Sequence, residues 1–416
     1  MEEKHRFSVV DFVIFGLTLA ASCGIGLFYA VKSMRSKRAG AGIEEHLLGG
    51  RILILAYPAE LYVLGSAIAW TLVGCCLALL FTAFFLIPVL YRSIRGDRFE
   101  SRAIRLYASI LFTLTTLVYM SVVLYAPAVA LSGVTEIPTW VLVVVVGFLC
   151  TAYTSVGGLR AVVWTDTIQA VIMYAGLIGM VWLGSSGAGG IRNVWRLNAQ
   201  KHRLDGFVNV DPNPFQYMTV WTAGVGGFFF WLNTWSVNQM SLQRYCSMAK
   251  ESYARGIVLL TIPAIGFIAI LAFLMGMAMF AYYEQKGCDP LTAKQIGGKD
   301  QLVMYFMLEI FGHLPGLPGL FLSCLFSGTL STVSSGVNSL SAVGWQEFLR
   351  PFLLQSRGQS AKGEREKNDR IATIATKAIG FLYGCTAIGL AFLAEPLGGI
   401  FQATLHIRSS TLPLDE

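Results

Sequence analysis

Between Phe326 and Ser341 lie Ser327, Thr329, Ser331, Thr332, Ser334, Ser335, Asn338, Ser339 and Ser341, with Gly328 and Gly336 among them and no charged residue. Neutral oxygens, on side chains and on carbonyls freed where a helix is broken, strip and hold a small hard cation inside a membrane. Ser331 and Thr332 are adjacent, and Ser335 sits one turn beyond Ser331, so three oxygens converge on one side. That pattern suits a sodium seat. Ser, Thr and Gly also let membrane helices pack closely and hydrogen-bond their own backbone, which is their commoner role. Composition alone favours that second role.

Other polar residues stand in expensive places. Asp166, in VVWTDTIQ, opens an apolar run beside Thr165 and Gln169. There it either stabilises a helix N-terminus or serves as a waypoint for a cation. The segment GGFFFWLNTWSVNQMSLQRY carries Gly226, Gly227, Asn233, Asn238 and Gln239 among aromatics. Twin glycines with amides suit an unwound helix lining a cavity, or else helix-to-helix hydrogen bonding. Tyr119 and Tyr125 could face the same cavity or mark a membrane interface. Glu60, in YPAELY, falls at an expected outer turn, where water would solvate it.

Several chemistries are disfavoured. The eight cysteines show no metal-binding spacing, and Cys23, Cys75, Cys76, Cys150, Cys324 and Cys385 lie in apolar runs as small hydrophobes. All five histidines lie outside the apolar runs, which argues against a haem or a membrane metalloenzyme. No Gly-rich phosphate loop with its Lys occurs, and no nucleophile is paired with a base, so an enzyme is not expected. The net charge of +7 comes from short loops between apolar runs and reports orientation, not nucleic-acid binding. No Asn-x-Ser/Thr sequon occurs.

The elements that must position these residues are membrane spans. Of the 416 residues, 55% are hydrophobic and only 13% charged, about half the charged share of a soluble domain. The pattern predicts an all-α polytopic membrane protein, because in lipid a helix satisfies its own backbone; the alternating ten-residue strands of a barrel are absent. About ten segments are expected within a single domain, residues 1–397, followed by an atypical tail, residues 398–416. The first run, Val9 to Val31, is followed by Lys32, Arg35, Lys37 and Arg38, which places the N-terminus outside. Ile52 to Tyr91, broken by Pro58 and Gly65, goes out and returns as two spans or as a short broken one plus a full one. Spans follow at Ile104 to Leu131, Pro138 to Val156, Val163 to Leu183, Tyr217 to Val237, Gly256 to Tyr283, the hydroxyl-rich stretch, and Ile371 to Leu393. A turn at Arg160 separates the fourth and fifth of these expected full spans. The loop from Gly184 to Phe215 is expected outside despite Arg192, Arg196, Lys201 and Arg203, which strains the charge rule.

With these residues laid out, the chain resembles the sodium:solute symporter family, in its branch of multivitamin, monocarboxylate and iodide transporters. The matching words include YMSVVLYAPAVALSGVT (119–135), CTAYTSVGGLRAVVWTDTIQAVIM (150–173), VNQMSLQRY (237–245), FAYYEQKGCDPL (280–291), DQLVMYF (300–306) and LPGLPGLFLSCLFSGTLSTVSSGVNSLSAV (314–343). The resemblance implies an inverted-repeat fold of five plus five helices with an extra N-terminal helix, and sodium and solute near the midplane. It implies sodium ligands at the carbonyl of Gly328 and the hydroxyls of Ser331 and Thr332. Ser334, Ser335 and Asn338 then support that site or form a second one, and Asp166 passes sodium to the cytoplasm. For the solute it points to Tyr125, Trp231, Trp235, Asn238 and Gln239.

Two departures accompany the resemblance. Family members run from the GGR of LLGGR through a broken, small-residue helix before PAE-x-Y, whereas here Gly50 and Arg51 lead within a few residues to Pro58, Ala59 and Glu60. The half-helix that supplies backbone to sodium and solute looks absent, and most of the tyrosine and glutamate motif expected after IPV-x-YR is also missing. After Leu397, Gly398 and Gly399 the family continues apolar, whereas this chain turns to HIRSSTLPLDE, so the fold is expected to be incomplete at the C-terminus. The expected function is sodium-coupled uptake of small organic anions, such as biotin, pantothenate or monocarboxylates, or of iodide, across the plasma membrane. The alternative is a non-transporting family member acting as a sensor or interaction partner. Sodium is the only coupling ion implied, the lipid bilayer and an anionic solute are the partners, and the oligomeric state is not legible.

Overall fold

A computed structural model describes residues 8–33, 53–95, 102–351 and 362–394, apart from 133–134, 136, 214–215, 217, 239–240, 243–244, 246–247 and 249. The described residues form helices and turns, with no strand among them. Among the described residues six helical stretches are long and apolar enough to cross a membrane: Tyr57–Arg92, Arg105–Ser132, Ala170–Gly187, Glu251–Lys286, Leu317–Leu349 and Ile371–Leu393. Val9–Thr18, Thr139–Ala152 and Leu302–Phe311 are shorter apolar helices.

Helix α1 (Val9–Ser33) begins the described chain. Helix α2 (Leu53–Leu64) contains Pro58 and runs through a 3₁₀ turn, Gly65–Ala69, into α3 (Trp70–Phe81). A π turn, Thr82–Leu86, then leads to α4 (Ile87–Arg95). This is the short broken helix followed by a full one that Ile52 to Tyr91 allowed. Helix α5 (Arg102–Ser132) carries Pro127 internally, and α6 covers Thr139–Gly187. Beyond a short amphipathic helix, α7 (Ile191–Gln200), come α8 (Gly226–Leu232) with a π turn on each side, and α9 (Glu251–Lys286). Helix α9 has Glu251 in its first turn, Lys286 in its last and left-handed Gly287 as its C-cap, so both ends suit the helix dipole. The described chain closes with α10 (Leu302–Phe311), α11 (Leu317–Val343) and α12 (Lys362–Ala394).

The expected turn at Arg160 is not a break in secondary structure, because helical backbone continues over Thr139–Gly187 with no proline inside it. Yet both halves of α6 lie on α11. Cys150 Sγ donates to the carbonyl of Leu330 at 3.2 Å, while a Cβ at Gly176 would sit 3.4 Å from the ring of Phe321. A straight helix would hold Cys150 and Gly176 about 39 Å apart, against about 14 Å between Phe321 and Leu330. The element therefore bends between Cys150 and Gly176 and is not one straight rod.

Two packing groups result. Helices α1, α5, α6 and α12 surround α11, while α2 and α3 pack on α9 and α8 packs on α3. Helix α11 is the centre: 88% of its apolar window is buried, against 17% for that of α12. Its Phe321, Phe326, Leu330, Val333 and Val337 join the largest core with Met120 of α5 and Cys150 of α6. In the second group α3 and α8 touch through backbone. A Cβ at Gly74 would lie 2.5 Å from the nitrogen of Phe228 and 2.6 Å from the carbonyl of Gly224. Gly226 and Gly227 are helical, not unwound, and a Cβ at Gly227 would lie 3.0 Å from Cα of Thr71. This glycine thus serves close packing. Replacing Gly74 by Ala should force α3 and α8 apart at a cost of about 1–3 kcal/mol. Thermal unfolding in detergent checks this, and an unchanged midpoint would rule out the contact.

Candidate functional site

The hydroxyl-rich face of α11 is held inside the first packing group. Gly328, Ser331, Ser334 and Ser335 are buried, while Thr332 and Asn338 are half-buried. Thr332 Oγ1 donates to the carbonyl of Gly328 at 3.0 Å, and Ser334 Oγ donates to the carbonyl of Ser331 at 2.9 Å. These are the i−4 and i−3 bonds by which Ser and Thr satisfy themselves in an apolar helix. They also bring the oxygens of Gly328 and Thr332 to one point, beside Ser331 on the same turn. Thr329 Oγ1 donates across to the carbonyl of Val123 at 3.4 Å, fixing the helix against α5. The oxygens are neutral and belong to one continuous helix, so the arrangement suits a monovalent hard cation. Among the described residues no cluster of His, Cys, Asp or Glu would hold a transition metal. Asp166 lies on the helical backbone of α6, with its side chain outside the described set.

The solute candidates divide between the two groups. Tyr125 of α5 is half-buried against the core that contains Leu330 and Val333. Trp231 and Trp235 lie with Cys75, Leu79, Ala83 and Val258 in the other group, Trp235 buried and Trp231 at its edge. The Trp235 carbonyl accepts from Tyr245 OH at 2.7 Å, and Ser236 and Thr82 share a very short hydroxyl contact. Asn233 is exposed. The Asn238 N–H donates to Asn233 O at 3.1 Å, and its own carbonyl accepts from Ser241 and Leu242, each at 3.0 Å, so its backbone anchors the turn after α8. Gln239 falls outside the described residues.

A polar network missed in the sequence gathers at the face where residues 188–208 and 287–316 connect the helices. Glu60, expected in water, is only 14% exposed and pairs with Lys299 at 2.5 Å. The strand of loop before α10 folds over α2 and removes water from it. Tyr62 OH donates to Asp289 at 2.8 Å, Lys201 pairs with Glu284 at 2.6 Å, and Lys286 pairs with Glu309 at 2.6 Å. Arg203 reaches the carbonyls of Leu61 and Tyr62 at the end of α2 and lies 4.0 Å over the Phe280 ring. Its own carbonyl accepts from Ser66 N–H at 2.9 Å. Burial pulls the guanidinium's pKa below its ordinary value, opposed by the nearby Tyr62. The available signal was the strain that Lys201 and Arg203 put on the expected topology: both cations have structural partners.

Residues 27–395 match the model of the sodium:solute symporter family. The chain is 36% identical to the sodium-coupled monocarboxylate transporter 2 of Danio rerio over 432 residues, covering 98% of this chain and 66% of that protein. It is 35% identical to the sodium-dependent multivitamin transporter of Oryctolagus cuniculus over 424 residues, with coverages of 96% and 64%. The chain thus spans just under two thirds of the length of these relatives. Each alignment is longer than the 416 residues of the whole chain, so the relatives hold internal residues that this chain lacks. A solved Na+-coupled sialic acid symporter, substrate-bound and outward-open, superposes with a TM-score of 0.81 at 20% identity, covering 95% of this chain and 84% of that one. That likeness establishes a shared fold.

The Glu60–Lys299 pair gives a test of the network. Lys299→Met leaves a carboxylate in a site 14% exposed and should cost about 3 kcal/mol, whereas adding Glu60→Gln should recover most of the loss. Unfolding of the two single variants and the double variant measures this coupling, and simple additivity would place the pair in solvent.

Proposed function

The chain belongs to the sodium:solute symporter family, and from that premise we propose that it couples inward sodium movement to uptake of a small anion across the plasma membrane. The observation that carries the reading is the buried face of α11, where the carbonyl of Gly328 and the hydroxyls of Ser331 and Thr332 share one turn in a segment, Phe326 to Ser341, with no charged residue of its own. These three bind sodium. Ser334, Ser335 and Asn338 back the site, and Asp166 lies on the sodium path toward the cytoplasm. Tyr125 and Trp231 present aromatic edges to the solute, Trp235 supports Trp231 from the core of their shared group, and Asn238 and Gln239 supply amides. The face carrying the Glu60 and Arg203 network is extracellular, which puts the N-terminus outside. A charge crossing 100 mV contributes about 2.3 kcal/mol to uptake. Coupling requires that sodium bind the outward state better than the inward one. The relatives named for monocarboxylates and vitamins support organic anions as solutes, with iodide the inorganic counterpart.

A second reading has its own observation. Only residues 34–52, rich in charge and glycine, join α1 to α2, and the relatives' alignments exceed this chain in length. A member without the opening half-helix lacks backbone ligands for sodium and solute, and acts as a sensor or interaction partner instead.

Uptake of labelled biotin, pantothenate, lactate and iodide into cells expressing the chain separates the two. Coupled transport gives uptake that vanishes in choline medium, and Ser331→Ala with Thr332→Ala abolishes the sodium activation. Sodium activation that survives this double substitution removes the assignment. Uptake that appears only after a relative's half-helix is inserted before Leu53 supports the second reading.

A further inference from the structure

Helix α11 begins without a cap of its own. Its N-cap, Gly316, has φ +100° and no side chain, and Pro318 in the first turn has no N–H. Buried helix ends need partners for these first donors. Leu317 N–H reaches the carbonyl of Leu314 at 3.2 Å. The N–H groups of Gly316 and Gly319 both donate to Oδ1 of Asp11, at 2.8 and 3.2 Å. Asp11 belongs to α1, more than 300 positions away, and is 2% exposed. Its Oδ2 accepts from Ser8 N–H at 2.8 Å, while Ser8 Oγ accepts from Val10 N–H at 3.4 Å, so Ser8 and Asp11 together cap the first turn of α1 itself. One carboxylate thus serves the first turns of two parallel helices and lies against the positive end of both dipoles.

The seam continues below it. A Cβ at Gly319 would lie 2.2 Å from the carbonyl oxygen of Asp11, so glycine is required for this approach. The rings of Phe15 and Phe326 are 5.2 Å apart, and the hydroxyls of Thr18 and Ser323 meet at 2.5 Å. Gly328, Ser331 and Thr332 follow Ser323 within about three turns.

We propose that Asp11 is a positioning residue that sets the depth and rotation of α11, so that α1 is a fixed strut of the ion-holding helix and moves with it. The consequence for sodium affinity rests on the sodium reading above, whereas the register of α1 on α11 does not.

The test uses the full purified chain. The rise of its melting midpoint with sodium, against choline, gives a half-saturating concentration. Asp11→Ala should raise that concentration about five-fold, the size of a lost cap expressed as an equilibrium ratio, with Asp11→Asn in between. A merely structural residue would lower the sodium-free midpoint and leave half-saturation unmoved, which would overturn the proposal. In a second arm, Thr18→Cys with Ser323→Cys should oxidise to a disulfide that preserves the sodium response, and Asp11→Ala should lower the cross-linking yield. A yield indifferent to Asp11, or a cross-link that abolishes the response, would show that α1 is set elsewhere or slides on α11. If Asp11→Ala does not fold, Asp11→Asn supplies the comparison in both arms. A parent chain with no sodium response refutes the sodium reading, while the cross-linking yields still decide the register.

Discussion

A polar atom within a hydrocarbon layer must find its partner inside the protein, and this constraint organises the molecule around α11. The hydroxyls of Thr332, Ser334 and Ser341 turn back to carbonyls of their own helix, and that of Thr329 reaches Val123 of α5, so the helix stays continuous although oxygen-bearing residues crowd its inner half. The same bonds make the face adaptable. A hydroxyl that donates to a carbonyl is worth only about 1 kcal/mol net, so a cation arriving between Thr332 and Gly328 displaces little. Packing and ion binding, which the sequence leaves as competing explanations, are compatible uses of one set of atoms.

The division into two packing groups follows from where small residues allow backbones to meet. Gly74 brings α3 against α8, and Gly319 brings α11 against α1. Helix α6 then links the groups, because its second half reaches both α11 and α9. The sodium candidates and Tyr125 belong to one group, while Trp231, Trp235 and Asn238 belong to the other. A solute held between them would touch both.

Long apolar runs made most of the helices legible: the expected limits of α1, α5, α9 and α12 lie close to the observed ones, apart from a polar extension at the start of α12. The two apolar runs within α6 were legible, though their unbroken helical backbone was not, because hydropathy sees the lipid layer and not the hydrogen-bond ladder. Glu60 was misjudged because its burial comes from Lys299, distant in sequence. The twin glycines misled for a related reason: Gly227 reads as weakness in one helix until Thr71 of the facing one is known. Asp11 drew no attention at all. A single acid near the start of an apolar run looks like an ordinary first-turn residue, and only the uncapped Gly316 explains its burial.

Arg203 leaves the end of α2 in an unusual electrical state. The last carbonyls of a helix form its negative pole, and those of Leu61 and Tyr62 already hold a guanidinium. A cation at this face therefore meets a pole that is neutralised in advance, by a charge on a loop and not on a span. Whatever lifts residues 201–208 from α2 uncovers that pole, so the electrostatic landscape at this face is set by the position of a strap of chain rather than by the composition of the helices beneath it.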